Sequence, residues 1–122
     1  MLALVIDDSR AIRMILERML SELGFEVEQA ANGREGLTRL DAGREPELVL
    51  VDWNMPEMNG LEFVVAMRDA PYSSTARVVM VTTETEVPQM VRALDAGADE
   101  YVMKPFTRES IVEKLQLLGL QP

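Results

Sequence analysis

The chain has 122 residues, 48% of them hydrophobic, with 21 acidic against 12 basic side chains and a formal net charge of −9. That length suits one domain, and the acidic balance argues against a nucleic-acid partner, whose phosphates need a basic face. There is no Cys and no His, so disulfides, thiolate zinc sites, imidazole bases and histidine-ligated metals are all excluded. Any chemistry must be run by carboxylate, hydroxyl and ammonium groups, with or without a hard cation.

Leu2–Ile6 is a continuous apolar run ending in Asp7-Asp8. Runs without alternation read as strands buried on both faces, the habit of parallel sheets. This one is too short for a signal peptide or a membrane span, so a cytoplasmic protein without membrane insertion is expected. Ile12, Ile15, Leu16, Met19, Leu20 and Leu23 then follow helical spacing, which predicts a one-sided helix stopped by Gly24. Phe25–Ala30 alternates and carries Glu26 and Glu28, as an edge strand does. Asn32 with Glu35 predicts a capped helix reaching Ala42.

Pro46 introduces the second fully apolar run, Leu48–Val51, which ends in Asp52. After the loop 53–60 comes a helix over about 61–69, then the run Val78–Val81 ending in Thr82. Pro88 opens a helix expected to bury Val87, Met90, Val91 and Leu94, with Gly97 at its end. A last strand near 100–103 runs into Lys104-Pro105. Thr107 caps a final helix that turns Ile111, Leu115 and Leu118 inward and closes at Gly119.

Five alternations of strand and helix imply right-handed crossovers and a parallel sheet covered on both faces. The most apolar strands belong in the middle and the charged second and polar-headed fifth at the edges. These placements agree with a flavodoxin-like (βα)5 three-layer sandwich of strand order 2-1-3-4-5. In such sheets the ligand crevice lies beyond the carboxyl ends of the strands, at the switch point between strands 1 and 3.

Asp7, Asp8, Asp52, Thr82 and Lys104 would therefore share one rim. Taken singly they read as helix caps, turn residues and loop residues. Together, at successive strand ends, they read as a site. Three carboxylates at ~4 Å repel by roughly 4 kcal/mol per pair at an effective dielectric of about 20, more than one Lys offsets. A small divalent cation removes that cost and leaves room for phosphoryl oxygens. An Asp can accept a phosphoryl group as an acyl phosphate, while Lys104 and Thr82 contact the transferred group.

The set Asp7-Asp8, Asp52-Trp53-Asn54-Met55-Pro56 with Gly60, Thr82, Ala96-Gly97-Ala98, Tyr101 and Lys104-Pro105-Phe106 spans the chain. In this set the chain resembles the response regulator receiver domains, and among them the chemotaxis CheY type. The resemblance implies a single receiver domain over residues 1–122 in which Asp52 takes a phosphoryl group from a histidine kinase or phosphotransfer protein. It implies Mg²⁺, with Mn²⁺ as a substitute, held by Asp8, Asp52 and the Asn54 backbone carbonyl, with Asp7 acting through a metal-bound water. It further implies Lys104 as the phosphoryl counter-charge, Thr82 and Tyr101 as a switch, and Asn54, Thr83 and Glu84 as modulators of phosphoryl lifetime. The Lys104–Pro105 bond is expected cis. An output protein would bind the face of the fourth helix, fifth strand and fifth helix.

Two departures stand out. Thr83 is bulkier than the Ala common in the chemotaxis type, and the fourth helix opens with Val87-Pro88 rather than basic residues. A haloacid-dehalogenase-like phosphatase with an aspartate nucleophile is the alternative. It wants a second Asp where Asn54 stands, and a cap insertion for which the chain has no room.

Overall fold

The computed structural model describes residues 1–83 and 87–120. Its elements are β1 (Leu2–Ile6), α1 (Arg10–Glu22), β2 (Glu26–Ala30), α2 (Gly33–Ala42), β3 (Leu48–Asp52), α3 (Gly60–Arg68), β4 (Arg77–Thr82), α4 (Val87–Ala96), β5 (Glu100–Met103) and α5 (Arg108–Leu117). The strands form one parallel sheet of order β2-β1-β3-β4-β5, the expected order, with the most apolar strands in the middle as the burial argument predicts. β1 and β3 are buried along their whole length and β4 at all but its first residue, whereas β2 and β5 are mostly half-exposed edges.

Alternate residues of each central strand enter opposite cores. Leu4, Ile6, Val49 and Val51 pack with Leu37, Phe63, Val64, Met67 and Ala93 on the α2–α3–α4 side. Ala3, Val5, Leu48, Leu50, Val79 and Val81 pack with Leu16, Leu20, Ile111 and Leu115 on the α1–α5 side. This is the three-layer arrangement, with period 2 in the strands feeding two helical faces.

Local signals set the helix ends. Ser9, Asn32, Asn59 and Thr107 each accept a backbone N–H as N-caps, satisfying donors that the first helical turn leaves unpaired. Gly24 (φ 97°) and Gly97 (φ 121°) leave α1 and α4 in the left-handed region, where a side chain is costly. Among the described residues no helix is long and apolar enough to cross a membrane.

Two faces differ from the sequence expectation. In α1, Leu16 and Leu20 are fully buried and Ile12, Met19 and Leu23 partly so, but Ile15 is exposed. In α4, Ala93 is buried and Met90 half-buried, while Val91 and Leu94 face outward. The Val87 side chain lies outside the described residues. Both helices carry two overlapping apolar stripes, and periodicity alone does not choose between them. The sheet takes the stripe of α4 centred on Ala93, whose small side chain permits close approach.

Candidate functional site

The carboxyl ends of β1 and β3 lie side by side, with Ile6 paired to Val51. The next residue on each strand is therefore an aspartate on the same rim. Asp7 is buried and tied down on several sides. Its N–H donates to the Ala30 carbonyl at 3.2 Å, its Oδ1 accepts the Ser9 N–H at 2.8 Å, and its own carbonyl accepts from Arg13 at 2.7 Å. Asp52 ends β3, also buried, whereas Asp8 points to solvent. One carboxylate oxygen from each of the three falls within 4.8 Å of the others.

Lys104 reaches into this group from the loop after β5. Its Nζ lies 3.2 Å from Asp52 Oδ1 and 3.3 Å from Asp7 Oδ2. The Lys104 N–H donates to the Thr82 carbonyl at 2.8 Å, which fixes the start of that loop on β4. The Lys104–Pro105 peptide is cis, as expected; so is Ala70–Pro71, which the sequence reading did not foresee. Burial is the largest influence on Asp52 and, with the Asp7 charge, raises its pKa above the ordinary value against the lowering effects of Lys104 and the Asn54 N–H. For Lys104, burial pulls the pKa down, but Asp52 and Asp7 outweigh it and the net shift is upward. The ammonium thus stays charged while the acids remain incompletely neutralised.

Thr82 and Tyr101, the expected switch residues, border one cavity. Thr82 is buried at the end of β4, and with Trp53, Tyr101 and Gln89 it lines a small cavity behind the acidic rim. Tyr101 is half-buried, with Lys114 Nζ 4.9 Å from its ring centroid on the outer side. Asn54 and Thr83 are exposed, Thr83 bordering a groove with Lys104, Pro105, Phe106 and Ile12. Glu84 lies outside the described residues.

Sequence reasoning passed over several supporting residues. Arg13 belongs to none of the motifs read there, yet it donates to the Asp7 carbonyl. Gly60 was part of the motif set but without a structural reason; it permits close approach, since a Cβ there would sit 2.6 Å from both the Asp52 carbonyl oxygen and Met80 Cε. Its signal was present, in that Gly follows the α3 cap Asn59. Gln89 carried no sequence signal.

A doubly wound parallel sheet with an acidic, lysine-closed crevice at its switch point defines a class of α/β proteins suited to hard cations and phosphoryl groups. The sequence matches the response regulator receiver domain over residues 3–116, and the chain belongs to that family. It is 40% identical to the chemotaxis protein CheY1 of Helicobacter pylori over 94% of each chain. The structure resembles that of the Vibrio cholerae chemotaxis protein CheY4, with a TM-score of 0.86 and 37% identity over 95% of this chain and 96% of that one. It also resembles the Thermotoga maritima response regulator TrrA solved in complex with Mg²⁺-BeF, with a TM-score of 0.82 and 33% identity over 96% and 97%.

The chain is therefore a CheY-like receiver domain of two-component signalling. Such domains are generally not classical enzymes, which decides against the phosphatase alternative. They bind Mg²⁺ at an acidic pocket and interact with histidine kinases and downstream effectors. The donor set fits that ion: Asp7, Asp8 and Asp52 offer clustered hard oxygens and no competing nitrogen or sulfur ligand.

Proposed function

We propose that Asp52 is the phosphoacceptor of a response-regulator switch, within a single receiver domain spanning residues 1–122. A carboxylate oxygen of Asp52 attacks the phosphorus of a phosphohistidine on a histidine kinase or phosphotransfer protein. The P–N bond breaks, the imidazole keeps the electron pair and takes a proton, and Asp52 carries an acyl phosphate. What carries the reading is the position of Lys104 Nζ, 3.2 Å from the Asp52 oxygen, in a pocket whose second buried acid is Asp7.

Mg²⁺ (or Mn²⁺), held by Asp8, Asp52 and the Asn54 carbonyl with Asp7 acting through water, would supply positive charge for the acids and the phosphoryl oxygens. Lys104 exchanges part of its contact with Asp52 for the phosphoryl group, as a point charge. The Thr82 hydroxyl turns to that group, and Tyr101 moves inward behind it. The face of α4, β5 and α5 then changes for an output protein. Water later displaces the phosphoryl group from Asp52 as inorganic phosphate, at a rate tuned by Asn54, Thr83 and Glu84. The missing thiols fit a cytoplasmic location, where disulfides are not maintained. TrrA was solved with Mg²⁺ and beryllofluoride, the same kind of ligand this pocket is proposed to take.

Incubation with acetyl phosphate and Mg²⁺ is expected to add one phosphoryl group, seen by intact mass. Asp52→Asn is expected to abolish it, and EDTA to suppress it. Equal labelling of Asp52→Asn would assign the acceptor elsewhere.

A further inference from the structure

Gln89, in the first turn of α4, points its side-chain carbonyl into the protein. Its Oε1 is buried and has no hydrogen-bond partner, the one such side-chain atom among the described residues. A buried carbonyl without a partner forfeits its hydration, a penalty of about 1–3 kcal/mol, so native structures seldom keep one. Gln89 also lines a cavity with about 10 Å³ of space open to the centre of a water molecule, together with Trp53, Met80, Thr82, Met90, Ala93 and Tyr101. Apart from Gln89, every lining residue is apolar except at two hydroxyls and one indole N–H.

Of those three donors, Thr82 and Trp53 are buried in place. Thr82 also has an interaction of its own. Tyr101 is different. Its ring forms a wall between this inner cavity and an outer hollow bordered by Val102, Met103, Pro105, Thr107, Ser110 and Lys114. It therefore has space on both sides and an exposed edge. The cavity holds a hydroxyl or a water but not a phenol ring, so inward movement has to displace Met80 and Met90. Those unbranched thioethers repack more readily than any other apolar side chain of their size.

We infer that Gln89 is a positioning residue of the switch: its buried amide receives the Tyr101 hydroxyl when the ring moves inward. A tyrosine hydroxyl both donates and accepts, so either end of the amide serves. The unpaired carbonyl raises the free energy of the outward state, and the new hydrogen bond is made only in the inward state. Both effects favour the activated conformation. The inference rests on the proposed inward movement of Tyr101.

The test uses Gln89→Met, which keeps length and volume but removes the amide, alone and combined with Tyr101→Phe. Affinity for beryllofluoride in saturating Mg²⁺ is read from Trp53 emission, and thermal midpoint is read in EDTA. Gln89→Met is expected to weaken beryllofluoride binding about three- to tenfold, the equivalent of one net hydrogen bond. The same substitution is expected to raise the midpoint of the unactivated protein. Tyr101→Phe should weaken binding by a similar factor, and the double variant no further. A merely structural Gln89 would lower stability without that coupling. Wild-type affinity in Gln89→Met, or additive losses in the double variant, overturns the inference. Failure of the phosphoacceptor reading looks different, because the wild-type protein itself would then not respond to beryllofluoride. Should Gln89→Met fold poorly, Gln89→Leu replaces it with the same expected signs.

Discussion

Lys104 lies within hydrogen-bond reach of both Asp52 and Asp7, yet the Asp52 pKa is raised. One ammonium does not offset the desolvation of Asp52 and the neighbouring Asp7 charge. Because the folded chain holds the Asp52 proton more tightly than the unfolded chain, folding is favoured below the ordinary carboxylate range. That advantage is lost as pH rises through the raised value. Lys104 acts at the other end: its raised pKa gives stability that persists below the ordinary lysine range and disappears at strongly alkaline pH. In EDTA, wild type and Asp52→Asn should therefore have similar stability near about pH 3 and diverge as pH rises. At neutral pH the Asn variant should be more stable by about 1–3 kcal/mol. Asp8→Asn should gain less, since Asp8 is exposed. Millimolar Mg²⁺ should stabilise wild type by mass action and Asp8→Asn much less. Urea titrations across pH, with and without Mg²⁺, read all of this; parallel curves for the three proteins would mean that the carboxylates do not share charge.

The loop between β3 and α3 is built as much by its backbone as by its side chains. The Met58 N–H donates to the Pro56 carbonyl at 2.7 Å, closing a three-residue turn around Glu57. Glu57 has φ 68°, a region that a side chain with Cβ occupies at a cost of about 1–2 kcal/mol. The turn brings Asn59 to the α3 cap and Gly60 against the Asp52 carbonyl. Glu57→Gly is expected to raise the unfolding free energy by about 0.5–1 kcal/mol, the strain relief less the entropy of an added glycine. Glu57→Val should lower it. Chemical denaturation in the presence of Mg²⁺ checks both; an unchanged midpoint for Glu57→Gly would mean that the turn stores no strain.

Across the molecule, the end of the sheet opposite the site is joined by Arg68. Its guanidinium donates to the carbonyls of Gly97, Ser74 and Ala76 and pairs with Asp99 at 3.2 Å. Asp99 also accepts the Val78 N–H at 2.8 Å. One side chain thus connects α3, the entry to β4 and the turn from α4 to β5. Arg68→Met should destabilise the protein by about 2–4 kcal/mol, because several partly buried carbonyls lose their donor and Asp99 loses one of its partners at the same time. Asp52 labelling by acetyl phosphate should survive in the folded fraction. A loss under about 0.5 kcal/mol would show that water replaces the guanidinium at little cost.

Much of this architecture could be read before any coordinates, because its signals are local. Apolar runs marked β1, β3 and β4. Asn32, Thr107, Gly24 and Gly97 marked helix ends, and each central strand delivered its polar residue to the same rim by chain direction alone. Unbroken runs marked the central strands and broken ones the edges, and the order 2-1-3-4-5 agreed with those placements without following from them alone. Other features depended on contacts between distant segments. The side of α4 that meets the sheet was settled by the fit of Ala93, not by the Val91–Leu94 stripe that periodicity also offered. Arg13, Arg68 and Gln89 look like ordinary helix residues until other segments place a carbonyl, a carboxylate or a cavity beside them. Glu57 in its strained turn breaks the usual preference of its residue type. Hydrophobic spacing and capping are properties of neighbours in the chain, whereas burial, strain and pairing of a polar atom are properties of neighbours in space.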